Sequence, residues 1–296
     1  MDVSIIIVNY NTKQMTLDCI DSVFRYTKGL TFEVLLVDNA SIDGSKELFE
    51  SDSRITYLYN LENVGFGRAN NIGFKKATGK YVFLLNSDTI LLNNAIKLFF
   101  DFMEKSDDSI ACCGTLLRNS ENVRIHSYGN LHTIKNSLFE WVAWPLAVNL
   151  HLPLEMTKYD NPKQESLSPF RVGFVTGADL FVRSIVAHEY GLFDPDYFMY
   201  SEDMDMQRRY AEYGYKSYIL REPLIVHLVG KSDKQKKISR REMIIKSLFT
   251  YMRKHNPTAK YILFSCLFKV LYSLSFILRN FSLKEKIAHI KVIIKY

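Results

Sequence analysis

Three places in this 296-residue chain combine residue types and spacing that could do chemistry. The first is Asn86-Ser87-Asp88, which closes the apolar run Tyr81 to Leu85. Five consecutive apolar or aromatic residues read as a strand buried on both faces, the pattern of a parallel sheet covered by helices. The polar triplet then sits at the strand's carboxyl end, where open α/β sheets bind ligands and where a carboxylate can hold a divalent cation against phosphate oxygens. Together with Thr89 it also suits a turn followed by a helix N-cap. The second place is Ser201-Glu202-Asp203-Met204-Asp205, which opens a helix that runs through Arg208 and Arg209 to about Tyr213 and stops at Gly214. The backbone dipole favours acidic residues in a first turn, but three carboxylates in four positions exceed what capping needs. A carboxylate fixed at a helix start beside a cleft is what a general base for a hydroxyl requires. The third is His227, after the short strand Leu224 to Val226; it suits a structural role, or a neutral imidazole ligand to a metal beside Asp88.

The elements that must position these groups alternate regularly. Val3 to Val8 is a β-branched strand ending in Asn9-Tyr10-Asn11-Thr12, and Met15 to Tyr26 carries apolar residues at helical spacing. Phe32 to Val37 repeats the strand and stops at Asp38-Asn39-Ala40-Ser41, with a helix from about Ser45. Ile55 to Tyr59 is a third strand, followed by a loop from Asn63 through Gly65, Arg68 and Asn70 into a helix. Four such repeats before residue 105 predict a parallel, doubly wound sheet with the polar loops at one edge. Loops so rich in Asp and Asn suit a polar, phosphorylated ligand, a nucleotide above all. Asp38 could bond a ribose hydroxyl or base edge, Arg68 a diphosphate and Asp88 a metal; for each, capping or surface solvation stays open. The glycines spell neither standard phosphate loop, which disfavours an ordinary kinase or a nicotinamide enzyme.

Composition is that of a globular protein, 47% hydrophobic and 24% charged. The net charge of +6 is unevenly spread: from Lys231 onward there are 16 Lys and Arg against 3 Asp and Glu, +13, while residues 1–230 carry −7. Nucleic acid and anionic lipid both attract such a segment. The nearly continuous apolar stretch Tyr261 to Leu278 favours lipid over nucleic acid. Lys269 near its middle makes spanning costly, so a helix in the membrane interface with snorkelling lysines is expected, or else a core helix. Cys19, Cys112, Cys113 and Cys266 have no metal or disulfide spacing. The N-terminus reads as a strand and not a signal peptide, so a cytoplasmic protein is expected, peripheral on the inner face of the cell membrane. Between 119 and 168 periodicity weakens around Trp141, Trp144, Pro145, Pro153 and Pro162, which suggests loops and a short helical insert on an acceptor side.

Taken together, the motifs at 4–11, 37–45, 63–73, 85–89 and 200–205 resemble glycosyltransferase family 2, closest to its bacterial rhamnosyltransferase-like branch. The resemblance covers residues 1–230 and leaves the helical, basic tail 231–296 outside it. It implies a GT-A fold: a Rossmann-like, mostly parallel sheet flanked by helices. The implied reaction is inverting transfer of rhamnose or a similar sugar from a dTDP or UDP donor to a lipid-linked or polysaccharide acceptor. Galactofuranose, N-acetylhexosamine or glucose transfer are alternatives, as is a non-catalytic nucleotide-sugar-binding scaffold. Carried over by position, Asn9, Asn11, Asp38, Asn63, Arg68, Asn70, Asn86 and Asp88 would line the donor pocket. Asp88 and His227, the latter ahead of Gly230 and Ser232, would hold Mg²⁺ or Mn²⁺. Asp203, beside Glu202, would be the base. Asn86 stands where the family's metal motif commonly has Asp, which removes one anionic ligand.

Overall fold

The computed structural model describes residues 1–143, 169–228, 237–277 and 283–296. Contacts divide the chain into two compact units. The first begins with β1 (Val3–Asn9), α1 (Lys13–Tyr26), β2 (Phe32–Asp38), α2 (Ser45–Phe49), β3 (Thr56–Tyr59), α3 (Phe66–Phe74) and β4 (Tyr81–Asn86). It continues through β5 (Thr89–Leu91), α4 (Ala95–Lys105), β6 (Ile110–Thr115) and β7 (Tyr128–Gly129). After the segment assigned to the other unit come β8 (Phe170–Val172), β9 (Phe174–Val175), β10 (Asp179–Arg183), α6 (Ser184–Tyr190), α7 (Glu202–Glu212), β11 (Lys216–Leu220) and β12 (Ile225–His227).

Eight strands form one sheet in the order β3-β2-β1-β4-β10-β6-β11-β8. The first four are parallel, as the strand–helix alternation requires. β10 runs antiparallel between β4 and β6, and β8 runs antiparallel to β11 at the edge. Register lines up the strand ends: Asn9 stands opposite Asp38, Val8 opposite Asn86, and Asp38 opposite Tyr59. Because β10 is antiparallel, its first residue, Asp179, lies opposite Leu85 at that same edge.

The uniform apolarity of the strands follows from burial on both faces. Ile5 and Ile7 of β1 join Phe83, Phe99 and Phe181 in a core on one face, beneath α1 and α4. Ile6 joins Leu35, Val37, Leu84, Met206 and Tyr210 in the core on the other. Gly73 lets α3 approach the sheet closely, since a Cβ there would stand 2.6 Å from the Ile6 side chain.

One sequence alternative fails. Asp88 does not cap a helix; Thr89 starts β5, which pairs antiparallel with β12 so that Thr89 faces His227. This two-stranded ladder brings a histidine from far along the chain to the end of β4.

The second unit contains the described residues of 131–161 and 235–296, together with 199–201. The insert expected at 119–168 is thus divided: its first residues stay with the sheet, residues 131–143 go with the tail, and 144–168 lie outside the described residues. Its elements are α5 (Ile134–Leu138), a π-helical turn at Phe139–Ala143, α8 (Lys237–His255), α9 (Thr258–Ile277) and α10 (Leu283–Ile294). α5 starts from a capping box in which Thr133 and Asn136 satisfy each other's backbone amides. Phe249 packs on Phe264 and Phe268 at ring separations of 5.6 and 5.4 Å, and Lys295 pairs with Glu242 at 2.7 Å.

Candidate active site

The loop after β1 is stitched to the loop after β2. Asn9 Nδ2 donates to Asp38 Oδ2 (3.2 Å) and Ser41 Oγ (3.0 Å), while its Oδ1 accepts from Thr12 Oγ1 and Thr16 Oγ1. Asp38 also accepts from the Ser41 amide (2.8 Å) and the Tyr57 hydroxyl (3.0 Å). Burial and the Asp38 carboxylate push the Tyr57 phenol up, so it stays a donor. Asn11, in the left-handed region at φ 54°, accepts from the Ile42 amide. Asn9 and Asp38 have no exposed surface. In this structure their side chains tie the two loops together at the strand ends.

A residue not singled out from sequence organises the third loop. Asn39, 2% exposed, accepts from Asn60 Nδ2 and the Val64 amide, both at 3.1 Å, and donates to Asn63 Oδ1 at 2.7 Å. Asn63 Oδ1 in turn accepts from the Gly65 amide (3.0 Å), so its side chain is tied into the loop. Gly65 has φ 88°, and a Cβ there would come within 2.3 Å of the Phe198 carbonyl oxygen. That approach allows the Phe66 amide to donate to Phe198 (2.9 Å). Asn71 bonds Phe193 in both directions, and Arg68 Nε donates to the Pro195 carbonyl at 2.8 Å. The start of α3 is therefore zipped to the 193–198 segment. Arg68 is exposed, its guanidinium held near the start of α3 by the Pro195 carbonyl. Asn70 is buried, and its Nδ2 donates to the Phe66 carbonyl within its own helix (3.0 Å).

At the end of β4 the Asn86 amide donates to the Ala178 carbonyl (3.0 Å), and the adjacent Gly177 amide donates to Asp203 Oδ2 (2.8 Å). The expected metal motif and the expected base are thus linked through one turn, Thr176 to Ala178. Asp203 Oδ1 accepts from the Met204 amide (2.8 Å), which fixes the carboxylate in two places. Phe66 and Asp203 both border Gly177: a Cβ there would lie 3.2 Å from the Phe66 ring and 3.7 Å from Asp203 Cβ. Glu202 lies against Gly67, and its Oε2 is buried without a hydrogen-bond partner.

The two neighbouring acids differ electrostatically. Burial, reinforced by the Asp203 charge, pushes Glu202 up to about 8. Burial also raises Asp203, but the Gly177 and Met204 amides and His126 oppose it. Burial without a partner for Oε2 favours the protonated form of Glu202, whereas the two backbone amides favour the charged form of Asp203. Asp205, the third acid of the motif, is spent structurally on the Tyr197 hydroxyl (3.0 Å) and Arg209 (3.1 Å).

Asp88 Oδ1 stands 3.1 Å from His227 Nε2, and Asn86 Nδ2 stands 3.4 Å from that same nitrogen. Two adjacent ligands of an octahedral Mg²⁺, each at ~2.0–2.1 Å from it, are themselves about 3 Å apart. The Asp88–His227 spacing fits that edge, and Asn86 Oδ1 beside it is buried without a partner. Among the described residues no group of three or more His, Cys, Asp or Glu gathers as a metal cage. Asp88 and His227 are thus the two side chains here that could hold a divalent cation. Gly230 and Ser232 lie outside the described residues.

The sheet edge and its loops can be compared with known proteins. Residues 4–173 match the family model described as glycosyl transferase family 2. The uncharacterized glycosyltransferase RP339 of Rickettsia prowazekii is 30% identical over 208 residues, 69% of this chain and 57% of that protein. An uncharacterized glycosyltransferase of Rickettsia bellii is 36% identical over 108 residues, but these cover only 15% of its length. Among solved structures, the mannosyltransferase PcManGT from Pyrobaculum calidifontis, in complex with GDP-Man and Mn²⁺, superposes with a TM-score of 0.60 at 15% identity. The overlap covers 93% of this chain and 72% of that one, and it shows a shared GT-A fold. With a family model matched over more than half its length and a fold to agree, the chain belongs to glycosyl transferase family 2.

Proposed function

We propose that the protein transfers a hexosyl group from a nucleoside-diphosphate sugar to an acceptor hydroxyl, with inversion at the anomeric carbon. The observation that carries this reading is Asp203: a carboxylate fixed by two backbone amides and tied through Gly177 and Ala178 to the end of β4. In the transfer, Asp203 takes the proton of the acceptor hydroxyl while that oxygen bonds to the anomeric carbon. The bond from that carbon to the diphosphate breaks on the opposite face, so no protein nucleophile is needed. Asp88 and His227 would hold the divalent cation, which supplies positive charge to the departing diphosphate. Arg68 adds a second cationic contact. Glu202, protonated, spares the site a second buried charge beside Asp203 and leaves Asp203 as the one base of the pair.

The donor proposed is a deoxyhexose such as rhamnose carried on dTDP or UDP, and the acceptor a lipid-linked or growing surface polysaccharide. Support for this narrower reading is the likeness of the five motifs to rhamnosyltransferase-like enzymes; the GDP-Man bound by PcManGT supports only the donor class. A panel of dTDP-, UDP- and GDP-sugars tests it by titration calorimetry, with Mn²⁺ or Mg²⁺ and again with EDTA. Cation-dependent binding of one donor supports the reading, and binding of none refutes it.

A further inference from the structure

α9 has two unlike faces. Its inner face carries Phe264, Phe268, Tyr272 and Ser275, all buried and spaced four, four and three residues apart. Phe268 packs on Phe249, Tyr272 and Trp141. Lys269 belongs to this side as well, with its ammonium 5.9 Å from the centre of the Phe249 ring. The expected snorkelling lysine therefore leaves the outer face uncharged.

That outer face presents Ile262, Leu263, Leu267, Val270, Leu274 and Ile277, between 41% and 61% exposed, with Leu271 and Cys266 beside them. The spacing follows the helix for 16 residues, a rise of about 22 Å. From Tyr261 to Ile277 the exposed positions hold no charged residue. Isolated apolar side chains on a surface are ordinary, but a continuous apolar helix face marks an interaction site. Exposed basic residues stand at one end of it: Arg253, Lys254 and Lys260.

We propose that this face of α9 inserts into an anionic lipid monolayer, with the helix lying in the plane of the interface. Charge complementarity selects lipid over a second copy of the chain. Pairing two such faces would bring together two segments of +13 each, whereas anionic headgroups neutralise the basic end while acyl chains take the apolar face. A spanning orientation would take the packed aromatic face into lipid too, and among the described residues no helix is long and apolar enough to cross a membrane. The inference rests on the second unit alone, so its failure would leave the proposed transfer untouched.

Cys266 supplies a native probe. It is the exposed cysteine of the four; Cys19, Cys112 and Cys113 are buried, with thiols pushed up by desolvation. The full chain, labelled there with a polarity-sensitive fluorophore, is titrated with phosphatidylglycerol-containing vesicles and with pure phosphatidylcholine vesicles, and unlabelled protein is co-sedimented in parallel. The expected result is a blue shift and sedimentation with anionic vesicles, reversed by salt or alkaline carbonate. Binding to neutral vesicles should be weaker by roughly fivefold per engaged basic residue. Leu267→Glu with Val270→Glu, both at exposed positions, should lower anionic-vesicle binding at least ~10-fold without changing far-UV circular dichroism. Equal binding to both vesicle types would overturn the proposal, as would resistance to carbonate, which indicates a spanning helix. So would a dimer that the double substitution dissociates while vesicles leave the label unshifted.

Discussion

Replacing Glu202 by Gln tests the assignment of the proton within the acidic pair. Glu202 is 5% exposed, and desolvation together with the Asp203 charge raises it from 4.5 to about 8. Between those values the folded protein holds a proton that the unfolded chain has released. Folding stability then falls as pH rises, by about 1.4 kcal/mol per pH unit for this one group. Across the full window the loss is on the order of 5 kcal/mol, complete once Glu202 ionises in the folded state. Gln resembles the protonated acid and has no such dependence. The substitution adds a constant offset, because an amide NH₂ replaces a hydroxyl next to an atom that has no partner, but this offset does not change with pH. Urea denaturation of both proteins at intervals from pH 5 to pH 9 isolates the term. The stability of Glu202→Gln relative to the unsubstituted protein should climb through pH 5–8 and flatten above it. Parallel curves for the two proteins would refute the placement of the proton on Glu202.

Other expectations follow from the same geometry. If Asp88 and His227 hold the cation as proposed, His227→Ala removes one of two protein ligands, and the Mn²⁺ concentration for half-maximal donor binding should rise at least ~10-fold in calorimetric titrations. Asn39→Ala leaves Asn60, Asn63 and the Val64 amide short of a partner and should destabilise the fold by roughly 2–3 kcal/mol in urea denaturation. Gly65→Ala meets both a positive φ and the Phe198 carbonyl; a loss of more than about 1 kcal/mol is expected, together with weaker donor binding as α3 parts from the 193–198 segment.

The alternating strands and helices up to residue 105 are legible in the sequence because each strand is buried on both faces and each loop is polar. The antiparallel placement of β10 between β4 and β6 is not, because it depends on pairings made across roughly 70 to 100 residues. The same holds for β5 and β12, whose short ladder turns a plausible helix cap at Asp88 into a partner for His227. The amide-rich loops gather at one edge of the sheet, but residue type alone does not separate a side chain that meets a ligand from one that stitches two loops. Asn9, Asp38 and Asn70 face inward, whereas Asn39, the hub of the third loop, carries no signal beyond its place after Asp38. Lys269 teaches a similar lesson in the tail: its position within an apolar stretch was visible, but the side to which it turns was set by the Phe249 ring.

The central claim is that Asp203 is the base of a glycosyl transfer. It is tested most directly by nucleoside-diphosphate release from the bound donor, in the presence of acceptor or of water in its place, for Asp203→Asn against the unsubstituted protein. The substitution should reduce release by a factor on the order of 10²–10⁴ while calorimetry gives an unchanged donor affinity. Release at the unsubstituted rate, with the donor bound equally well, would contradict it.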